Sequence, residues 1–165
     1  MKLEGGCYCG KVRYAAEGQP ILKAQCHCRE CQYISGGSPN VFMLMPPEGF
    51  SYVGGAPKQF FRSDVDNAVT REFCADCGTH LTTRRPGLPA VILKVGTLDD
   101  PSVFGNAQMA IFTVDKQPFH LIAEGVPIFR TAAAAGVRLG AETAGSLPCH
   151  GGWRPPLASI TEPVM

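Results

Sequence analysis

Three cysteines fall within six residues in Cys26-His27-Cys28-Arg29-Glu30-Cys31, and no other stretch limits the possible folds as much. A core cysteine packs singly, as a small hydrophobe, so a cluster this dense points to a shared metal ion. Two more cysteine units flank it, Gly6-Cys7-Tyr8-Cys9-Gly10 before and Phe73-Cys74-Ala75-Asp76-Cys77-Gly78-Thr79 after. A CxxC pair followed by glycine is a knuckle that turns two sulfurs toward one ion, and the glycine supplies the positive φ that such a wrapped backbone needs. Chelation therefore has to bring together distant parts of the chain.

The rest of the composition is ordinary. The 165 residues carry 45% apolar and 18% charged side chains with a net charge of +1, which fits one domain with a real core. No block of like charges marks a surface for nucleic acid or an anionic membrane, so neither is expected as a partner. The N-terminus lacks a signal-peptide core and no stretch is long enough to span a bilayer, which predicts a cytoplasmic protein. In that reducing compartment the eight cysteines read as metal ligands rather than disulfides.

Short apolar alternations between turn residues predict strands at Lys11–Ala15, Ile21–Gln25, Val41–Met45, Phe50–Val53, Gln59–Arg62, Val69–Phe73, Thr79–Thr83, Ala90–Val95 and Gln108–Val114. The segment from Pro118 to Phe129 closes the apolar pattern. A single helical turn at Gln32–Ser35 is expected to stop at Gly36-Gly37, and Asp99-Asp100-Pro101 reads as a turn. The result is a mostly β, antiparallel domain over residues 1–129. The Ala, Gly, Pro and Ser-rich residues 130–165 form an extension of uncertain structure, in which Ala132 to Ala135 could make a helical turn or two that Gly136 and Gly140 weaken.

Seven cysteines precede that extension, in sets of two, three and two. If Cys7, Cys9, Cys74 and Cys77 share one ion, the trio Cys26, Cys28 and Cys31 holds a second. Spacing alone also allows Cys7 and Cys9 to join two of the trio, or one of the trio to join Cys74 and Cys77. In the first division one site is closed and the other is a ligand short, and an open fourth position is typical of catalytic zinc. Three thiolates on zinc leave one net negative charge, which blunts the ion's acidification of water and favours a soft fourth ligand such as a thiol. Thiolate attack on a small electrophilic carbonyl is the simplest reaction that follows.

The motifs Cys7-x-Cys9-Gly10-x-Val12-Arg13, Cys26-His27-Cys28-x-x-Cys31, Phe73-Cys74-x-x-Cys77-Gly78-Thr79 and Gly96-Thr97-Leu98-Asp99-Asp100-Pro101, in that order, resemble the glutathione-dependent formaldehyde-activating enzyme (GFA) family, whose domain is shared with centromere protein V. The resemblance runs from about Gly5 to Phe129. It implies a β-tent fold of small antiparallel sheets with two zinc ions per chain. It also implies a structural zinc on Cys7, Cys9, Cys74 and Cys77, and a catalytic zinc on Cys26, Cys28 and Cys31. The activity it implies is a carbon–sulfur lyase reaction, the condensation of glutathione with formaldehyde to S-(hydroxymethyl)glutathione. Where many relatives carry His and Trp, this chain has Met109 and Phe119.

The competing reading is a non-catalytic zinc scaffold or protein-interaction module, in which a side chain completes the trio. His27, His80, His120, Cys149 and His150 are the candidates, and Cys149-His150 is alternatively a lid over the open position. A thiol redox protein would require Cys74 and Cys77 to be free of metal. Asp99 and Asp100 read as turn residues, and Arg29, Arg71 and Lys94 as solvated surface rather than binders of glutathione carboxylates.

Overall fold

The computed structural model describes residues 1–132. The segment beyond Ala132, with Cys149 and His150, lies outside them. The chain forms β1 (Lys2–Gly6), β2 (Arg13–Glu17), β3 (Leu22–Cys26), α1 (Arg29–Ser35), β4 (Asn40–Met45), β5 (Phe50–Gly54), β6 (Lys58–Phe60), β7 (Thr70–Phe73), β8 (His80–Arg84), β9 (Val91–Lys94) and β10 (Met109–Ile111). It is mostly β, as the turn-punctuated alternation predicts. No helix among the described residues is long and apolar enough to cross a membrane.

The strands form two sheets, ordered β1-β2-β5 and β10-β3-β4-β9-β8-β7-β6. β4 is a central strand whose side chains leave in both directions. Met43 and Met45 are fully buried in the core with Leu81, Val91 and Leu93 of the large sheet and with Leu3, Tyr14 and Ala16 of the small one. Phe42 and Leu44 enter a second cluster with Ala24, Cys26, Cys28 and Ile111. The large sheet therefore has two apolar faces, and the small sheet covers one of them.

Four elements differ from the sequence reading. β1 had no clear signal, because in Lys2–Gly6 only Leu3 is a buried large side chain and two of the five residues are glycines. α1 starts at Arg29, so Cys31 lies inside the helix rather than before it. β6 ends at Phe60, and all three of its residues are exposed, as suits an edge strand. β10 is only three residues long and pairs with β3 in parallel, an exception in an otherwise antiparallel sheet. Of the segment Pro118 to Phe129, an Ala110–Ile128 bridge and the bond from Phe129 N–H to Ala110 O (2.8 Å) hold its end beside β10.

The small sheet meets the chain after β9 at Gly5, which pairs with Tyr14 in the sheet and bridges Leu98. A Cβ at Gly5 would stand 2.3 Å from Thr97 O and 2.3 Å from Tyr14 Oη, inside contact distance of a backbone atom that cannot swing away. Gly96 is close by in sequence, and nothing lies within 4 Å of its Cβ position. Gly5→Ala should therefore lower stability by about 2–3 kcal/mol, with Gly96→Ala near neutral. Urea denaturation of the metal-loaded protein tests this, and equal midpoints for the two variants would refute the close approach.

Candidate metal centres and their surroundings

Two turns of similar construction supply the first sulfur group. Between β1 and β2, Cys7 N–H donates to Val12 O (2.9 Å) and Gly10 N–H to Cys7 O (3.0 Å). Between β7 and β8, Cys74 N–H donates to Thr79 O (2.9 Å) and Gly78 N–H to Cys74 O (2.9 Å). Gly10 and Gly78 both adopt positive φ, at 76° and 73°, where a side chain would be strained. The turns dock through Lys11 Nζ to Asp76 Oδ1 (2.7 Å) and Tyr8 N–H to Thr79 Oγ1 (3.1 Å). This brings the sulfurs of Cys7, Cys9, Cys74 and Cys77 within 4.8 Å of one another.

The spacing suits one ion. Cys7 and Cys9 sulfurs are 3.4 Å apart and those of Cys9 and Cys74 3.7 Å, far beyond a disulfide bond of about 2.05 Å. A tetrahedral ion with metal–sulfur bonds of about 2.3 Å separates its sulfurs by about 3.8 Å. Four soft donors at that spacing could hold a zinc-like ion.

The second group is the trio. Cys26 ends β3, Cys28 is the N-cap residue of α1, and Cys31 lies in its first turn. Their sulfurs also lie within 4.8 Å of one another, and Cys26 and Cys28 are buried. The neighbouring Cys28 and Cys31 sulfurs, then burial, push the Cys26 thiol well up from its ordinary value. For Cys31 a hydrogen bond with Cys26 favours the thiolate, but Cys28 and burial outweigh it and the thiol is pushed up to about 12. Three crowded thiols of this kind keep their protons unless a cation takes their place.

Lys94 corrects the expectation of a solvated residue. Its partner in β4 is Phe42, which in turn sits opposite Ala24 of β3, so Lys94 shares the sheet face that carries Cys26. It is 7% exposed, and burial lowers its amine to about 8, with the Cys31, Cys26 and Cys28 sulfurs opposing the fall to the extent that they ionise. A buried cation thus faces the trio. Arg71 is also largely buried, and its Nη2 donates to Glu30 Oε2 on α1 at 2.6 Å.

His27 and His120 lie behind the trio loop, both buried, with their Nδ1 atoms 3.1 Å apart. His120 Nε2 is 2.7 Å from the carbonyl oxygen of Gly37, which can only accept, so Nε2 carries the proton. In the neutral ring Nδ1 is then an acceptor, and it receives Gln117 N–H (3.3 Å) together with Nδ1–H of His27. Burial, with His120 and Lys116 nearby, lowers His27 to about 4, so it stays neutral, and its Nε2 is left as a buried lone pair. Gln32 Nε2 donates to His27 O (2.6 Å) and Asp115 O (2.9 Å), tying α1 to the same loop.

None of the described histidines joins the trio's donor group. His27 and His120 bind each other, and His80 Nε2 donates to Thr82 O (2.9 Å). Cys149 and His150 lie outside the described residues. Asp99 pairs with Arg13 of β2 across 86 positions and Asp100 caps the turn that follows it through Ser102 N–H (3.0 Å), so both have structural partners. Sequence reasoning missed the burial of Lys94, for which the available signal was a charge inside Ala90-Val91-Ile92-Leu93-Lys94-Val95. It also missed the His27–His120 contact, which spans 93 positions and leaves no local pattern.

The trio's binding of a metal ion should depend on pH in a set direction. Because the thiols of Cys26 and Cys31 lie above their ordinary value in the free protein, each proton must leave when a metal enters. Affinity should therefore rise with pH through neutrality and fall in acid. Lys94→Met should weaken metal retention at the trio by about tenfold or more without touching the four-sulfur group, because the centre loses its facing cation. Competition with a chromophoric chelator across pH measures both, and a flat profile or an unchanged affinity would contradict them.

Comparison with known proteins gives the lineage. A Halomonas elongata protein, named provisionally as a glutathione-dependent formaldehyde-activating enzyme, is 28% identical over 97 residues. That match covers 56% of this chain and 62% of the relative, so the chain spans less than two thirds of that protein's length. The crystal structure of a Rhodobacter sphaeroides protein shares the fold with a TM-score of 0.51 at 20% identity, over 63% of this chain and 96% of that one. The family described as glutathione-dependent formaldehyde-activating enzyme matches residues 2–115, more than half of the chain, which therefore belongs to that family.

Proposed function

We propose that this protein is a zinc-dependent enzyme of the carbon–sulfur lyase type that joins a small thiol to a small carbonyl compound, with glutathione and formaldehyde as the pair. In this reading Cys7, Cys9, Cys74 and Cys77 hold a structural zinc, and Cys26, Cys28 and Cys31 hold the catalytic one. Residues 1–129 form the working domain and 130–165 an extension. The observation that carries the proposal is the inequality of the two groups. One gathers four sulfurs, whereas the other gathers three, with no fourth His, Cys, Asp or Glu in its group among the described residues.

A zinc ion on the trio would supply a position at which a thiol is held as its nucleophilic thiolate. The chain's own residues do the rest. Cys26 and Cys28, buried at the end of β3 and the start of α1, set the site's depth and keep it away from bulk water. Lys94 offsets the negative charge that accumulates when a fourth sulfur joins three. The His27–His120 pair and Gln32 fix the loop that carries the trio, so its donors are positioned before any ligand arrives. Attack of the thiol sulfur on the carbonyl carbon forms one C–S bond and moves the carbonyl π pair to oxygen, which takes up the proton given up by the thiol. The product is a hemithioacetal and no other reactant is consumed.

The test is metal analysis combined with a thiol titration and exchange spectroscopy. Two zinc ions per chain are expected, with glutathione perturbing the spectrum of a cobalt-substituted trio and the protein accelerating S-(hydroxymethyl)glutathione formation in NMR exchange measurements. Cys28→Ser should lose one metal and the acceleration. One zinc per chain, indifferent to thiols, would remove the enzyme reading and leave a zinc scaffold.

A further inference from the structure

A cleft of about 270 Å³ opens between α1, β6, β7 and the β7–β8 turn, lined by Ile34, Phe60, Arg71, Phe73, Gly78 and His80. Its volume is at the small end of ligand pockets, so it suits part of a small molecule rather than a large cofactor. On α1, Ile34 lies three residues after Cys31 and four after Glu30, and residues at these spacings share one side of a helix. The helix wall of the cleft is therefore the side that bears a trio sulfur. The opposite wall comes from β7 and the β7–β8 turn, on the sheet face that carries Lys94 and Cys26: Arg71 pairs with Thr83 and Thr83 with Ile92, two positions from Lys94.

Its chemistry is uneven in a useful way. Ile34, Phe60 and Phe73 make apolar walls, and Phe60 is 53% exposed at the rim. His80 adds no positive charge, because burial and the nearby Lys94 and Arg71 lower its ring to about 3. The charge belongs to Arg71, whose side chain is 14% exposed and whose bond to Glu30 engages one of the five donors a guanidinium offers. Among the described residues the cleft's lining includes no Asp or Glu, and the carboxylate nearest its guanidinium is Glu30, which is already paired with it. A largely buried guanidinium with donors to spare, set among apolar walls, matches a carboxylate carried on a short organic chain.

We propose that this cleft is the subsite for the body of an anionic thiol, with Arg71 pairing with the ligand's carboxylate while its sulfur lies at the trio. The proposal rests on the reading of the trio as a thiol site, and it adds that the site selects thiols bearing a carboxylate. Arg71 is then a specificity-determining residue. The apolar walls exclude water from the pair, which strengthens it.

Calorimetric titration of the zinc-loaded full chain tests this, with glutathione and its dimethyl ester as probes. The unmodified protein should bind glutathione more tightly than the ester. Arg71→Gln should weaken glutathione binding by about tenfold or more and leave the ester unchanged, erasing the preference. Glu30→Gln keeps the guanidinium and should keep the preference. Phe60→Glu, at an exposed position that tolerates a polar side chain, should weaken glutathione several-fold by repulsion and spare the ester. This second variant decides the matter if Arg71→Gln loses metal. A preference that survives both Arg71→Gln and Phe60→Glu overturns the subsite and leaves the thiol reading standing. If neither probe binds the unmodified protein, the thiol reading falls and the subsite falls with it.

Discussion

Mutual repulsion between sulfur anions is the constraint around which this molecule is arranged. Thiols packed a few ångströms apart resist losing their protons, and thiolates at that spacing repel unless a cation lies among them. The four-sulfur group could turn this constraint into a fastener. Cys7 and Cys9 come from the small sheet and Cys74 and Cys77 from the large one, so an ion shared by all four would join the sheets across 65 positions of sequence from Cys9 to Cys74. Structural zinc binding in small peptides is worth about 10–16 kcal/mol, comparable to the whole stability of a typical domain. The polar contacts that back it are local: Lys11 with Asp76 at the turns, and Tyr52 with Glu72 (3.1 Å) between the sheets.

The trio answers the same constraint in another way. It borrows a protein cation: Lys94, held in β9 on the Cys26 face, is desolvated, and its charge is supported by the sulfurs it faces. A buried amine with no opposing charge nearby would be a pure cost to folding, so Lys94 and the trio are best understood together. Glu72 shows the ordinary solution elsewhere in the sheet. Burial pushes its carboxyl up, but donors from Thr82, Gln59, Arg84 and Tyr52 win and hold it below the usual value.

Much of this was legible in the sequence because its signals are local. Glycine after Cys9 and Cys77 marks a turn that needs positive φ, and Val12 and Tyr14 alternate as a half-buried strand must. Cys26, Cys28 and Cys31 can meet simply because they are neighbours. What was illegible depends on register between distant strands. The placement of Lys94 beside the trio follows from two successive pairings, Lys94 with Phe42 and Phe42 with Ala24, and no spacing in the chain encodes them. β1 was missed because tertiary contact stabilises it: Gly5 admits Thr97 and the Tyr14 hydroxyl, and Gly6 admits the Val12 carbonyl, rather than filling a core.

His120 lies beyond the stretch that matches the family, which ends at residue 115, yet its ring reaches back to His27 and to the Gly37 carbonyl behind α1. The recognisable motifs thus rest on a prop supplied by a part of the chain that carries none of them. A polypeptide ended where the motif signature ends would keep all seven clustered cysteines, and would open the rear of the trio loop to water. For this protein the recognisable pattern stops short of the contacts that brace the trio loop.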